Sequence, residues 1–218
     1  MAAVPVPPAP VLEAAAKQLA EAAYPRPRIY ELPVEQGRAL LDQVQAGDGV
    51  TKPEADEEWV DVDAGEWGTV RARIVRPKGA TGTLPVFMYI HGGGWVFGDA
   101  HTHDRLVREL AVGAGAAAVF PVYDLAPQAK YPTQIEQNYA VAQWIMREGA
   151  QHALDASRLA VCGDSSGGGM SAVLALMAEE RGDVTLKAQI LLYPTMDANF
   201  ETPSYQRFAD HYYNTLEG

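Results

Sequence analysis

Two short glycine-bearing clusters hold the residues with the greatest capacity for chemistry. Residues 163–167 read Gly163-Asp164-Ser165-Ser166-Gly167, a G-x-S-x-G pattern. Five residues of this kind arise often by chance, so their setting decides. They directly follow an apolar run, Arg158-Leu159-Ala160-Val161-Cys162, and directly precede a helix-forming stretch at 168–180. A serine on a tight strand-to-helix turn stands clear of the sheet and can act as a nucleophile. Glycines on either side let the chain pass close to its neighbours, and the helix N-terminus favours negative charge as it develops. The second cluster is His91-Gly92-Gly93-Gly94-Trp95, directly after the apolar run at 85–90. Attack of a serine on a carbonyl builds a tetrahedral oxyanion, which preorganised N–H donors must meet. The unobstructed amides of Gly92, Gly93 and Gly94 are candidate donors, and the amide of Ser166, next to the nucleophile, is another. Trp95 and Phe97 either line a substrate pocket beside that loop or simply cover it.

Both clusters need strands to carry them. Trp59, Val60 and Val62 alternate as one strand, and Val70, Ala72, Ile74 and Val75 as the next, with 63–68 as the turn between them. The runs at 85–90 and 116–123 are continuously apolar, as strands buried on both faces are, and the largely apolar stretches 158–162 and 188–193 complete the set. Helical stretches at 103–112, 133–147 and 168–180 alternate with them. This order predicts an α/β fold with a doubly wound, mostly parallel sheet, and residues 58–75 as its antiparallel edge. Upstream, 11–23 is rich in helix formers, with Leu12, Ala16, Leu19 and Ala23 on one face, and Pro25 and Pro27 stop it. A second helix is expected around 34–45. We therefore expect N-terminal cap helices in 1–50 and the core in 51–218.

Composition narrows the partners. The 218 residues suit one ordinary domain, and a hydrophobic share of 48% is enough for a normal core. A net charge of −11 repels phosphate backbones, so nucleic acid is not expected as a partner. No apolar run is long enough to span a bilayer. Residues 1–10 lack the basic start and apolar core of a signal peptide, which points to the cytoplasm. The single Cys162 agrees with a reducing compartment and is expected in the core. No metal or organic cofactor is expected, because His101 and His103 lack a supporting ligand cluster. His91 is expected to hold its loop, His152 to be solvated, and Asp164 to hold the turn. Oligomeric state is open.

The chain resembles the hormone-sensitive-lipase-like group of α/β-hydrolases, also called bacterial esterase family IV. The resemblance rests on HGGGW at 91–95, Gly98-Asp99 just after it, and GDSSGG at 163–168. The family usually has Ala where Ser166 stands. Residues 123–127, YDLAP, resemble the family's Y-R-L-A-P with Asp124 in place of Arg. The resemblance implies an α/β-hydrolase fold with an N-terminal helical cap. It implies a serine carboxylic-ester hydrolase of short to medium acyl esters, working through an acyl-enzyme on Ser165. A non-catalytic ligand-binding protein on the same fold, as in plant gibberellin receptors, is the alternative.

In that family a triad Asp and then a His follow on two further strands. Here residues 194–218 are all that remain, and they look like a cap insertion. His211 is the only histidine after Ser165, with no strand before it. The chain is therefore expected to lack its C-terminal part. Alone it would lack the base that a serine hydroxyl needs, and it would leave apolar residues uncovered beside Ile190 and Leu192.

Overall fold

The computed structural model describes residues 12–23, 26–47 and 49–209. In chain order the elements are helices α1 (Ala14–Ala23) and α2 (Val34–Gln45), strands β1 (Ala55–Asp63), β2 (Thr69–Pro77) and β3 (Leu84–Ile90), helix α3 (Asp104–Ala114), strand β4 (Ala117–Val122), helix α4 (Thr133–Glu148), strand β5 (Leu154–Asp164), helix α5 (Ser165–Arg181), strand β6 (Ala188–Leu192) and helix α6 (Pro203–Arg207). They fall into two units, one drawn from residues 1–40 and 197–218, the other Leu41–Met196. In the smaller unit, a single 3-10 turn at Ile29–Glu31 is closed by the Arg28 N–H donating to Glu31 Oε2 at 2.8 Å. The hydroxyl of Thr202 caps α6 by accepting from the Tyr205 N–H.

The larger unit is built on a six-stranded sheet of order β1-β2-β4-β3-β5-β6. β1 and β2 pair antiparallel, as do β2 and β4, while β4, β3, β5 and β6 run parallel. The expected antiparallel edge and parallel body are both present. Side chains of a strand alternate between faces, and β3 shows what that achieves here. Val86, Met88 and Ile90 join Val119, Leu159 and Val161 in a core shared with Tyr139, Val141 and Ile145 of α4 and Met170 and Leu174 of α5. Phe87 and Tyr89 join Phe120 and Cys162 on the other face, under Val107 and Ala111 of α3. Each large apolar side chain fully buried this way stabilises the fold by roughly 1.5–3 kcal/mol.

Some boundaries differ from those read in the sequence. β5 starts at Leu154, ahead of the apolar run, because Leu84 and Pro85 pair with Leu154 and Asp155 before a register shift between Pro85 and Val86. α5 starts at Ser165 and includes the glycines up to Gly169. At the β6 edge, Ile190 is 47% exposed and Leu176 of α5 71% exposed, whereas Leu192 is half-buried. Among the described residues, no helix is long and apolar enough to cross a membrane.

Candidate active site

β5 ends at Asp164 in extended backbone, with φ −113° and ψ 147°, and the next residue, Ser165, turns to φ +51°. For a residue with a side chain the left-handed region costs roughly 1–2 kcal/mol, and it persists only where the surroundings impose it. Tight packing imposes it here. A Cβ on Gly163 would stand 2.4 Å from the Gly167 carbonyl oxygen, and one on Gly167 would stand 2.1 Å from the Ile90 carbonyl oxygen. Those two glycines let α5 rise directly over the ends of β5 and β3. Ser165 is half-buried, and among the described residues its hydroxyl has no hydrogen-bond partner.

The 91–94 loop lies against this turn. A Cβ on Gly92 would fall 2.4 Å from Asp164 Oδ2. The Gly92 N–H donates to Asp164 Oδ1 at 2.9 Å. That corrects one expectation: Gly92 braces the loop, and its amide is not available to an oxyanion. The amides of Gly93 and Gly94 have no acceptor among the described residues. Gly93 has φ +112° and Gly94 φ +61°. The amide of Ser166, in the first turn of α5, lies outside that helix's own ladder of bonds. Its hydroxyl is buried without a partner among the described residues.

Trp95 is 39% exposed with φ +62°, and its carbonyl accepts the Ala126 N–H at 2.8 Å. Phe97 is half-buried, and its N–H donates to the Gly93 carbonyl at 2.9 Å. Its own carbonyl oxygen stands 2.2 Å from where a Gly93 Cβ would be. The Phe97 backbone thus closes the loop on itself.

Asp164 is the hub. Its Oδ1 accepts from the Tyr89 hydroxyl at 2.8 Å as well as from Gly92, and His103 Nε2 lies 3.6 Å away. Burial alone would raise this carboxyl; His103, Tyr89 and the Gly92 amide outweigh it and hold it below the usual carboxylate range. His91 is buried, stacks on Tyr123 at 4.3 Å between ring centres, and places Nδ1 2.7 Å from the Gly92 carbonyl oxygen. Burial, then His103, push its pKa down to about 4, so the ring is neutral and Nδ1–H is the donor. His91 is a loop-holding residue, as expected.

His152 is half-buried and paired, not a freely solvated loop residue. Its Nδ1 lies 2.6 Å from Glu58 Oε1 and its ring packs on Trp144. His101 Nδ1 lies 2.7 Å from Asp42 Oδ1. Asp42, Asp99 and His101 bring ligand-type atoms within 4.8 Å at the surface; the contact between His101 and Asp42, and the turn that Asp99 closes on His101 and Thr102, account for them. Cys162 is buried, and burial, then the charge of Asp164, push its thiol up to about 11, far from a reactive thiolate. Asp124 accepts from Gln137 Nε2 at 2.7 Å. His211 lies outside the described residues. Sequence reasoning missed His103 as the partner of Asp164, and it missed Tyr193, which follows β6 with φ +38°.

Residues 87–218 match a protein family described by the alpha/beta hydrolase fold. A carboxylesterase of Mycobacterium tuberculosis is 42% identical over 141 residues, 65% of this chain and 44% of that protein. A putative α/β hydrolase of Acanthamoeba polyphaga mimivirus is 40% identical over 180 residues, 83% of this chain and 51% of that protein. The chain spans about half the length of these curated relatives. Among solved structures, a thermostable esterase from Pseudomonas putida superimposes with a TM-score of 0.87 at 41% identity, covering 97% of this chain and 66% of that one.

Proposed function

Because the chain belongs to the α/β-hydrolase fold family, in its hormone-sensitive-lipase-like esterase branch, we propose that it carries the nucleophile and oxyanion hole of a serine carboxylic-ester hydrolase. One observation carries this reading. Ser165, strained at φ +51° between β5 and α5, stands beside a glycine loop whose Gly93 and Gly94 amides have no acceptor among the described residues. Ser165 Oγ attacks the ester carbonyl carbon, its hydroxyl proton ends on the departing alcohol as the C–O bond breaks, and water then hydrolyses the acyl-enzyme to the acid and the free serine. The amides of Gly93, Gly94 and Ser166 hold the oxyanion, each such donor being worth about 2.7–4 kcal/mol of barrier. Trp95 borders the ester. The substrates are carboxylic esters, as the carboxylesterase relative suggests, and short to medium acyl chains are the class that the family resemblance implies. The four described histidines are held by other partners, so none of them is assigned the role of base. A cytoplasmic setting fits the free, buried Cys162.

The test is Ser165→Ala in the full-length gene product, with p-nitrophenyl acetate and butyrate. Turnover should fall to background while the circular dichroism spectrum is unchanged. Turnover retained by a folded variant would place the nucleophile elsewhere.

A further inference from the structure

His103 stands just before α3, at the position where a short polar side chain normally caps a helix by accepting one of its unpaired N–H groups. The His103 ring makes no such bond. It reaches toward the Ser165 turn instead, with Nε2 3.6 Å from Asp164 Oδ1. Facing a carboxylate, that nitrogen carries a proton. The other end of the ring is fixed as well, with Nδ1 3.0 Å from Thr102 Oγ1. Thr102 Oγ1 in turn accepts the Asp99 N–H at 2.8 Å. The start of α3 does not owe its place to the Asp164 contact. Asp104, the next residue, is held by Lys52 Nζ at 2.9 Å, by Arg108 Nε at 2.8 Å and by Arg73. Arg73, buried in β2, also donates to the Ala100 carbonyl at 2.8 Å. His103 is thus presented to Asp164 from a base that is pinned independently.

The two side chains are 15% and 12% exposed, so little water screens one from the other. Burial alone would push the Asp164 carboxyl up, and among the groups that hold it down His103 comes first, ahead of Tyr89 and the Gly92 amide. Tyr89 and Gly92 both donate to Oδ1, the same oxygen that His103 faces. A carboxylate left with those two neutral donors would be short of compensation for its burial, and would turn toward solvent or take up a proton. Either change loosens the Gly92 bond, and with it the loop that presents the Gly93 and Gly94 amides.

We propose that His103 is a positioning residue of the oxyanion loop: its Nε2–H holds the Asp164 carboxylate on the Gly92 amide, and so keeps the Gly93 and Gly94 amides aimed at the oxyanion. The proposal rests on Ser165 being the nucleophile. His103 touches neither the ester nor Ser165 Oγ in this role; it acts through Asp164. Losing an oxyanion donor outright costs about 10²–10³ in kcat. Loosening the loop that carries two of them costs less, about tenfold. Because the oxyanion exists only after attack, the loss falls on kcat and leaves KM nearly unchanged.

The experiment measures kcat and KM for p-nitrophenyl acetate in the full-length gene product, with His103→Asn, His103→Gln and Asp164→Asn, and with His103→Asn combined with Asp164→Asn. Asparagine is a favoured helix cap but too short to reach Asp164, so His103→Asn should stay folded while kcat falls about tenfold and KM stays within about twofold. His103→Ser, another favoured cap, gives the same reading should the asparagine variant fail to fold. The longer His103→Gln can bring an N–H to Asp164 and should recover kcat to within about threefold of the parent. On the Asp164→Asn background, His103→Asn should cost less than about twofold more, because two residues that act as a unit are not additive. A kcat that is unmoved in the folded asparagine or serine variant overturns the assignment. So does a glutamine variant as slow as the asparagine one, or a full tenfold loss on the Asp164→Asn background. Ser165→Ala is run in parallel. If it keeps turnover, the nucleophile reading fails; if it abolishes turnover while His103→Asn keeps the parent kcat, only the His103 assignment fails.

Discussion

Asp164 Oδ1 accepts the Gly92 N–H at 2.9 Å, and this bond joins the residue before Ser165 to the loop 72 positions upstream. It fixes the Gly93 and Gly94 amides relative to the serine without using either of them. The same carboxylate also takes the Tyr89 hydroxyl and faces His103, so its removal strands several buried groups together. We expect Asp164→Ala to cost about 3 kcal/mol of stability and to lower kcat by about 10²-fold. Asp164→Asn, which keeps an oxygen for Gly92 but cannot pair with His103, should fall between the two. Urea unfolding and steady-state kinetics on the two variants check this; equal losses from alanine and asparagine would mean that the Gly92 bond is not what matters.

The glycines at the site should not behave alike. A Cβ on Gly167 would stand 2.1 Å from the Ile90 carbonyl oxygen and 2.5 Å from that of His91. Both are strand-end backbone, which cannot swing aside, so Gly167→Ala should cost 3 kcal/mol or more, on the order of a severe core overpacking. A Cβ on Gly94 meets nothing within 4 Å, and its only penalty is φ +61°. Gly94→Ala should therefore cost about 1 kcal/mol. Thermal melts of the two variants would show the contrast, and similar losses would contradict it.

This difference between local and long-range causes also explains what could be read from the sequence. The Ser165 turn was legible because its parts are contiguous: an apolar strand, a glycine, the serine, a glycine and a helix. The sheet was legible because buried parallel strands are plain apolar runs. The direction of the Gly92 amide was not legible, since it is set by a carboxylate far along the chain. His152 was misjudged for the same reason, its partner Glu58 being 94 positions away. His103 opens a helix like many exposed histidines do, and nothing local marks it as facing Asp164. Tyr193 left no signal, because a strained φ at a tyrosine is imposed by the turn it packs beside.

Asp104 supplies a pH dependence. Burial would raise its carboxyl, but Arg73, Lys52 and Arg108 hold it down at about 2, against 3.8 for the free group. A lowered folded-state pKa means that stability from this group is fully present above 3.8 and is lost as pH falls toward 2. The amount is about 2 kcal/mol. Asp104→Asn should thus be less stable than the parent at pH 7, and the gap should close between pH 4 and pH 2. Urea midpoints across that range give the answer, and a gap that does not vary with pH would remove Asp104 as its source.

Two serines of α5 should respond to alanine with opposite signs. The Ser171 hydroxyl is fully buried and donates to the Gly167 carbonyl at 2.8 Å. Ser171→Ala removes a bond that is made, and should cost about 1 kcal/mol. The Ser166 hydroxyl is 1% exposed and has no partner among the described residues. An unsatisfied buried hydroxyl carries a desolvation penalty of about 1–3 kcal/mol, and alanine removes the oxygen while leaving the backbone N–H in place. Helix propensity also favours alanine slightly at this position. Ser166→Ala should therefore raise stability by about 1 kcal/mol. Urea unfolding of both variants at one pH decides the matter. If Ser166→Ala destabilises as much as Ser171→Ala does, the Ser166 hydroxyl has a partner in solution, and the oxyanion turn is held by one more bond than the described residues supply.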